Sequence, residues 1–291
     1  MAEIIDGKAL ARQLNERTAA DVAAHVAATG KAPGLAVVLV GNDPASEVYV
    51  RRKVKESGRT GIRSIEHRLP EDTAQADLLA LIDSLNADCD VSGILVQLPL
   101  PPHIDATLVL DRIEPDKDVD GFHPVNVGRL STGAGGLIPC TPLGCLMLLD
   151  TVIDDYRGLN VVVIGKSNIV GKPVAMLLLE KEATVMVTHI ETLNLPDLAR
   201  QADVIVAATG VPHLVRGYWV KPGAVIIDVG ISRVTNPDGT TSIVGDCAAH
   251  EMDHARAVTP VPGGVGPMTI ACLLSNTAKA ARLTAQKKGP A

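Results

Sequence analysis

The chain has 291 residues, which is enough for one large domain or two ordinary ones. Its net charge of −6 argues against a protein whose partner is nucleic acid. Hydrophobic residues make up 46% of the chain and aromatic residues only 2%, so its cores must be built from Ala, Val, Leu and Ile, as suits parallel strands buried between helices.

The sequence shows no clear secretory signal, membrane span or cysteine pairing pattern. The N-terminal segment MAEIIDGKALARQL lacks the apolar stretch of a secretory signal. No apolar run approaches the roughly 20 residues that a membrane span requires. The cysteines are five in number and form no C-x-x-C pair, which favours neither a disulfide framework nor a structural zinc site. These features predict a reduced cytoplasmic enzyme with no membrane partner and no metal ion.

Apolar runs and helical stretches alternate along the first half of the chain. In order, we predict a helix over 8–28, a strand over 35–40, a helix from Pro44 to about Ser57 that stops at Gly58, a half-exposed strand over 62–69, a helix over 73–87 and a strand over 93–98. Asp43 and Pro44 suit the N-cap and the first position of the second helix. Residues 115–140, rich in Asp, Gly and Pro, are predicted to form a long functional loop.

The second half continues with a new series of strands. We predict a connecting helix over 142–153, strands over 159–164, 184–188, 204–208, 225–229 and 257–261, and a closing helix over 267–281. Such strand–helix alternation is typical of parallel β-α units. The expected fold class is therefore α/β.

A glycine-containing loop, GKSNIVGKP at 165–173, lies between a predicted strand and a helix. Glycines let the backbone approach a pyrophosphate, and the helix N-terminus supplies N–H groups and the positive end of its dipole. The loop therefore favours a dinucleotide site, although it departs from G-x-G-x-x-G. Without the surrounding series of strands, an ordinary strand-to-helix turn would be the preferred interpretation.

The second strand of this series ends at THIET, residues 188–192. In a Rossmann unit the adenosine ribose is recognised at this point. Glu191 could accept a hydrogen bond from a ribose 2′-hydroxyl, which favours NAD. Lys166 could instead pair with a 2′-phosphate, which favours NADP. A solvated loop charge is the plain alternative for Glu191.

A second candidate site follows the strand over 35–40. Tyr49 and Lys53 are four residues apart on the predicted helix and share a face, and Ser46 precedes Tyr49 by three. A lysine beside a tyrosine in a closed site can act as a general acid or base. Gln97, near the end of the strand over 93–98, could orient a substrate or a water. Taken singly, each is more often a solvated surface residue.

The loop DKDVDG at 116–121 begins like an EF-hand. Position twelve, which should be a bidentate Glu, is Val127, and no helix–loop–helix frame surrounds the loop, so we reject calcium. The loop is then either a turn of surface carboxylates or a site with one buried carboxylate. Asp120, next to Gly121 and Phe122, is the carboxylate that we expect to be buried.

The loop TPVPGGVGPMT at 259–269 opens the last predicted helix. Its glycines allow a flat ligand to approach backbone N–H groups closely, and Pro267 suits a first helical turn. A tight helix entry is the alternative, but that entry does not need a G-G-V-G run framed by prolines.

Together these stretches resemble bifunctional methylenetetrahydrofolate dehydrogenase/cyclohydrolase. The resemblance follows the family's order over nearly the whole chain. The matching stretches are GNDPASEVYVRRKVK at 41–55, GILVQLPLP at 93–101, PDKDVDGFHPVNVGRL at 115–130, PCTPLG at 139–144, GKSNIVGKPVAMLL at 165–178, IIDVGI at 226–231 and PVPGGVGPMT at 260–269.

The resemblance implies two α/β domains with a cleft between them: a folate-binding domain over 1–139 plus 267–291, and a Rossmann-like NAD(P)-binding domain over 140–266. It implies oxidation of 5,10-methylenetetrahydrofolate with NADP, then hydrolysis of the methenyl product to 10-formyltetrahydrofolate. This one-carbon chemistry serves purine biosynthesis, and the family implies a homodimer. A member with only one of the two activities, or a different Rossmann-type dehydrogenase, is the alternative.

The resemblance also implies roles for single residues. Lys53 looks like the general acid/base of the hydrolysis, Tyr49 like the ring that stacks on the folate, Gln97 like the residue that tunes Lys53, and Asp120 like the carboxylate that anchors the pterin.

Two further groups follow from the same resemblance. Residues that look like folate-site backbone are Pro262, Gly263 and Gly264. Residues that look like cofactor contacts are Gly165, Lys166, Ser167, Ile190 and Ile231. Many members carry Ser or Arg where this chain has Ile190, and the Glu191 carboxylate would repel a 2′-phosphate, so NAD stays the alternative to NADP.

Overall fold

The computed structural model describes residues 1–236 and 238–288. The chain divides into two compact units. The three-stranded unit comprises Arg12–Cys140 and Ile270–Ala291, and the six-stranded unit comprises Met1–Ala11 and Thr141–Thr269. Residues 289–291, which the predicted first domain includes, lie outside the described residues.

The three-stranded unit is built on a parallel sheet in the order β3-β2-β4. Its elements are most of α1 (Gly7–Thr29), β2 (Gly34–Val40), α2 (Pro44–Arg59), β3 (Arg63–Leu69), α3 (Gln75–Ala87), β4 (Gly93–Val96), α4 (Ala106–Asp111), α5 (Pro124–Ser131) and most of α9 (Val265–Lys288). All seven residues of β2 are buried, as its unbroken apolar sequence predicts for the central strand of a covered parallel sheet. Leu78 and Ile82 of α3 pack against Ile94 of β4 in this core.

Two predictions for this unit are wrong. The helix α2 continues through Gly58 to Arg59, because the N–H of Thr60 still donates to the carbonyl oxygen of Glu56, 3.1 Å away. The left-handed residue that follows is Gly61, with φ of +78°. In addition, the stretch 115–140 is not only loop.

That stretch contains α5, which begins with the cap that its sequence encodes. His123 Nδ1 accepts a hydrogen bond from the N–H of Val125 at 3.1 Å, and Pro124 takes the first helical position. The same Pro signature at Pro44 predicted α2, so α5 was readable from the sequence.

The six-stranded unit holds a sheet in the order β1-β11-β8-β7-β5-β6, in which every pair is parallel. Its elements are β1 (Glu3–Ile4), α6 (Cys140–Leu149), β5 (Asn160–Ile164), α7 (Gly171–Glu180), β6 (Thr184–Thr188), α8 (Leu195–Ala199), β7 (Val204–Ala207), β8 (Val225–Asp228), β9 (Ser232–Thr235), β10 (Thr241–Val244) and β11 (Ala257–Val258). Its core includes apolar residues of β5, β7 and β8, among them Val162, Ile205 and Ile226.

Several elements of this unit were not predicted. The strands β9 and β10 form an antiparallel hairpin of half-exposed polar residues, too short to show a clear alternation of hydrophobicity. The strand β1 pairs with β11, which groups residues 1–11 with the six-stranded unit. The domain bounds given above stay a prediction.

The α/β fold class is confirmed, with parallel sheets in both units. The other predicted strands and helices are present, with ends that differ by a few residues. The helix α9 is longer than predicted, since it begins at Val265 and continues to Lys288. Pro267 lies in its first turn, as expected.

Candidate active site

The start of α2 sets the position of Tyr49 and Lys53. The carboxylate of Asp43 accepts a hydrogen bond from the N–H of Ser46 at 2.7 Å, and Pro44 opens the helix, as the sequence predicts. This start lies just beyond the carboxyl end of β2, where sites of parallel sheets form. Both side chains follow on one helical face.

Lys53 is a buried lysine, with 7% of its surface exposed. Its Nζ donates a hydrogen bond to Oε1 of Gln97 at 3.0 Å. Gln97 follows the last residue of β4, and its Nε2 donates to the carbonyl oxygen of Leu98 at 2.7 Å, which orients Oε1 toward the lysine. The structure therefore brings Lys53 and Gln97, which are 44 positions apart in the chain, into direct contact.

Tyr49 is half-buried on the same helix. Burial raises the pKa of its phenol, and the nearby Arg52 opposes that rise. The hydroxyl therefore stays protonated at neutral pH and is able to donate a hydrogen bond.

The burial of the loop carboxylates differs from our expectation. Asp118, not Asp120, is the fully buried one, with 1% exposure, whereas Asp120 is half-buried. Asp118 accepts hydrogen bonds from the N–H groups of Gly121, Phe122 and His123 at 2.8–3.2 Å, and from Nδ2 of Asn126 at 2.9 Å. The expectation was wrong because the loop folds its N–H groups around Asp118. This carboxylate is part of the scaffold.

Asp120 remains close to the buried lysine. Burial raises the pKa of its carboxyl group, the attraction of Lys53 lowers it, and the charge of Asp118 raises it further, with a net rise. The thiol of Cys140 lies near Asp120 and donates a hydrogen bond to the carbonyl oxygen of Val119 at 3.2 Å. Lys53, Gln97, Asp120 and Cys140 therefore form one cluster, which we call the Lys53 cluster.

The sequence reasoning missed two residues beside this cluster. Cys140 is buried, and burial followed by the charge of Asp120 raises the pKa of its thiol well above its usual range. Asn276 of α9 donates from Nδ2 to the carbonyl oxygens of Val119 and Ile138 at 2.9 and 2.8 Å, which fixes the chain on both sides of the site. Cys140 stands in the PCTPLG stretch, whereas nothing in the sequence singles out Asn276.

The glycine loop of the six-stranded unit has the close packing that a pyrophosphate site needs. Gly165 has a φ of +118°, and a methyl group on it would lie 2.1 Å from the carbonyl oxygen of Ala208. A methyl group on Gly171 would lie 1.9 Å from the carbonyl oxygen of Gly165. Ser167 Oγ accepts hydrogen bonds from the N–H groups of Val170 and Gly171 at 3.1 and 3.3 Å. The loop thus connects the end of the parallel strand β5 to the N-terminus of α7.

The other predicted cofactor contacts lie on the surface of this unit. Lys166, Ser167 and Glu191 are exposed. Ile190 is 96% exposed and Ile231 is 51% exposed, so both offer apolar surface to a ligand. Cradle glycines, a helix N-terminus after a parallel strand and exposed apolar side chains together fit a dinucleotide.

The loop before α9 is held by backbone contacts within the six-stranded unit. Gly263 has a φ of +118°, and the N–H of Gly264 donates to the carbonyl oxygen of Pro260 at 2.8 Å. A methyl group on Gly7 would lie 1.9 Å from the carbonyl oxygen of Gly264. A methyl group on Gly264 would lie 2.8 Å from the carbonyl oxygen of Pro260, so close packing favours glycine in this loop, and Pro262 precedes the turn. The structure does not bring this loop and the Lys53 cluster into one unit.

Among residues 1–236 and 238–288, no set of three or more His, Cys, Asp or Glu side chains has the arrangement of a metal site. Among the same residues, no helix combines the length and the apolar character needed to cross a membrane.

The parallel sheet and the glycine cradle at a helix N-terminus define an α/β protein with a nucleotide-binding unit, joined to a second unit with a buried lysine cluster. Family models agree with this class. The model of the tetrahydrofolate dehydrogenase/cyclohydrolase catalytic domain matches residues 5–120, and that of its NAD(P)-binding domain matches residues 139–285. The chain belongs to the tetrahydrofolate dehydrogenase/cyclohydrolase family.

Individual relatives support the same assignment. The bifunctional protein FolD 2 of Rhizorhabdus wittichii is 70% identical over 282 residues, which cover 97% of this chain and 95% of the relative. The crystal structure of the Campylobacter jejuni bifunctional enzyme FolD has a TM-score of 0.94 at 47% identity, covering 98% of this chain and 100% of that one. A Trypanosoma brucei FolD structure, complexed with NADP and an inhibitor, has a TM-score of 0.93 at 38% identity, covering 97% and 98%.

Proposed function

We propose that this chain oxidises 5,10-methylenetetrahydrofolate to the 5,10-methenyl form with NADP, and then hydrolyses that product to 10-formyltetrahydrofolate. The observation that carries the proposal is the buried side-chain nitrogen of Lys53, hydrogen-bonded to Gln97 beside Asp120. Membership of the family and relatives named as bifunctional support both activities.

Lys53 is the proton carrier of the hydrolysis in this proposal. A water adds to the methenyl carbon and loses one proton. The resulting hydroxyl loses the second proton as the C=O bond forms and one C–N bond breaks, and the released nitrogen takes up a proton, so that one proton leaves overall. A positioned amine with one fixed hydrogen bond suits such a transfer. Gln97 holds Nζ at 3.0 Å and so fixes the direction from which the proton comes.

Tyr49 and Asp120 bind and orient the folate. The Tyr49 ring stacks on the substrate, and its hydroxyl, which stays protonated, donates a hydrogen bond near Lys53. Asp120 anchors the pterin, whose N–H groups suit a carboxyl acceptor. The backbone of Pro262, Gly263 and Gly264 contributes the flat surface that a pterin or benzoyl ring approaches.

Gly165, Lys166, Ser167, Ile190 and Ile231 would hold the cofactor. When bound, the cofactor supplies the hydride acceptor for the oxidation. The cradle glycines and the N-terminus of α7 bind the pyrophosphate, and the exposed Ile190 and Ile231 pack on ring faces. Lys166 favours the 2′-phosphate of NADP, and NADP is also the cofactor in the T. brucei structure.

The remaining assignments rest on the same proposal. We assign the folate-binding role to residues 1–139 plus 267–291 and the NADP-binding role to 140–266. The chain acts in the cytoplasm as a homodimer, in the one-carbon metabolism that serves purine biosynthesis.

The proposal is tested with purified wild-type protein and two variants. Methylenetetrahydrofolate is supplied with NADP or with NAD, and both reduced cofactor and 10-formyltetrahydrofolate are followed by absorbance and chromatography. Lys53→Ala should abolish hydrolysis of supplied methenyltetrahydrofolate. The matched control is Lys55→Ala, because Lys55 lies on the same helix and is exposed.

Each outcome bears on one part of the proposal. Wild-type protein that reduces neither cofactor with this substrate contradicts the proposed oxidation. A Lys53→Ala variant that hydrolyses the methenyl compound at the wild-type rate contradicts the role of Lys53. Faster reduction of NAD than of NADP would indicate that Glu191, and not Lys166, recognises the adenosine ribose of the cofactor.

A further inference from the structure

Two buried carboxylates of the six-stranded unit have no part in the function proposed above. Asp228 ends β8 and is 3% exposed, and Asp246 follows the hairpin strand β10 and has no exposed surface. Burying two carboxylates near one another is costly. Their hydrogen bonds show what the two groups accomplish.

Asp228 ties the segment after β10 to the end of β8. Its Oδ1 accepts hydrogen bonds from the N–H groups of Gly230 and Asp246 at 3.0 and 2.8 Å, and its Oδ2 accepts from the N–H of Cys247 at 2.9 Å. Burial is the main cause that raises the pKa of Asp228 to about 6, and the charge of Asp246 adds to it. Asp228 is thus a fully bonded structural anchor for Asp246.

Asp246 reaches from that anchor to the loop after β7. Its Oδ2 accepts hydrogen bonds from the N–H groups of Thr209 and Gly210 at 2.6 and 3.1 Å. Its Oδ1 lies against Gly230, where a methyl group would be 2.2 Å away. Among the described residues, Oδ1 has no hydrogen-bond partner although it is buried. One side chain therefore contacts the loops after two neighbouring strands.

Those two loops lie where the cofactor is expected. The strands β5, β7 and β8 are adjacent and parallel, and dinucleotides bind at the carboxyl ends of such strands. Ala208, next to Thr209, packs on Gly165 of the glycine cradle. Ile231, next to Gly230, is a proposed cofactor contact. Asp246 thus contacts the loops on both sides of the proposed binding edge.

A buried oxygen without a partner lowers stability, and such local costs are concentrated at functional sites. Packing alone would be served better by an apolar side chain. We propose that Asp246 is a positioning residue for the dinucleotide: by accepting from Thr209 and Gly210 while packing on Gly230, it sets the spacing of the two loops that receive the cofactor. This inference rests on the proposed function, since it assumes that the cofactor binds at this edge.

The test measures the dissociation constant for NADP by titration calorimetry, together with both activities. Asp246→Ala removes both hydrogen bonds and should weaken NADP binding about ten-fold, or about 1.4 kcal/mol. Asp246→Asn keeps an acceptor oxygen for Thr209 and Gly210 and should bind NADP within about two-fold of wild type. Hydrolysis of methenyltetrahydrofolate, assigned to the Lys53 cluster, should be unchanged in all variants.

A further variant covers the case in which Asp246→Ala does not fold. Asp246→Glu keeps the charge but moves the carboxylate by one methylene, so it should also weaken NADP binding and raise the KM for NADP while leaving hydrolysis intact. An Asp246→Ala or Asp246→Glu variant that binds NADP like wild type overturns the inference, and so does a parallel loss of both activities, which would indicate a purely structural role. Wild-type protein that binds neither NADP nor NAD overturns the proposed cofactor site itself, and the inference with it.

Discussion

Replacing Gly171 with alanine tests the glycine cradle directly. The new methyl group would lie 1.9 Å from the carbonyl oxygen of Gly165 and 2.7 Å from its carbonyl carbon. Both atoms belong to backbone, which cannot rotate away as a flexible side chain would. Because a Cβ atom keeps at least 3.0 Å from other heavy atoms, the loop must open by about 1 Å.

The size of the effect follows from that displacement. Overpacking of this kind costs about 1–3 kcal/mol of unfolding free energy, and the higher helix propensity of alanine offsets at most about 1 kcal/mol. The hydrogen bond from the N–H of Gly171 to Ser167 Oγ, at 3.3 Å, should be lost. Since a misplacement of ~1 Å can reduce a rate about 100-fold, we expect dehydrogenase kcat/KM to fall by about 10- to 100-fold.

The assay compares Gly171→Ala with Gly128→Ala. Gly128 is also helical, and its added methyl group would meet no atom within 4 Å, so this control should keep both activities. Urea unfolding gives the stability change, and initial rates give the KM for NADP. Hydrolysis of methenyltetrahydrofolate should persist in Gly171→Ala. A wild-type KM for NADP together with wild-type stability in that variant would refute the reasoning.

Two further predictions concern ionisable groups. Asp118→Asn removes one of the two oxygens that accept hydrogen bonds from the loop. Urea unfolding should therefore show a fall in unfolding free energy of roughly 2–4 kcal/mol. Unchanged stability would contradict the scaffold role of Asp118. Hydrogen bonds from Arg216, and one from the N–H of Gly217, lower the pKa of Glu251 from 4.5 to about 2. A lowered carboxyl pKa stabilises the fold above 4.5, and this contribution disappears as the pH falls toward about 2. Glu251→Gln should therefore be less stable than wild type near neutral pH and equally stable near pH 2, and a pH-independent difference would contradict this assignment.

Local features of this chain could be read from the sequence by itself. Asp43 and Pro44 predict the start of α2, the apolar run of β2 predicts a buried parallel strand, and the glycines at 165 and 171 predict close backbone packing. Each of these depends on residues within a few positions of one another, where backbone geometry and propensity act directly.

Only the tertiary structure decided which side chains meet. Asp118 and Asp120 are two positions apart, and their burial depends on how the loop folds its N–H groups, which periodicity does not report. Asn276 reaches Val119 across 157 positions, and Asp246 reaches Thr209 across 37. Such contacts depend on the packing of distant elements and not on local propensity. The sequence could therefore nominate Lys53, but packing decided its burial and its contact with Gln97.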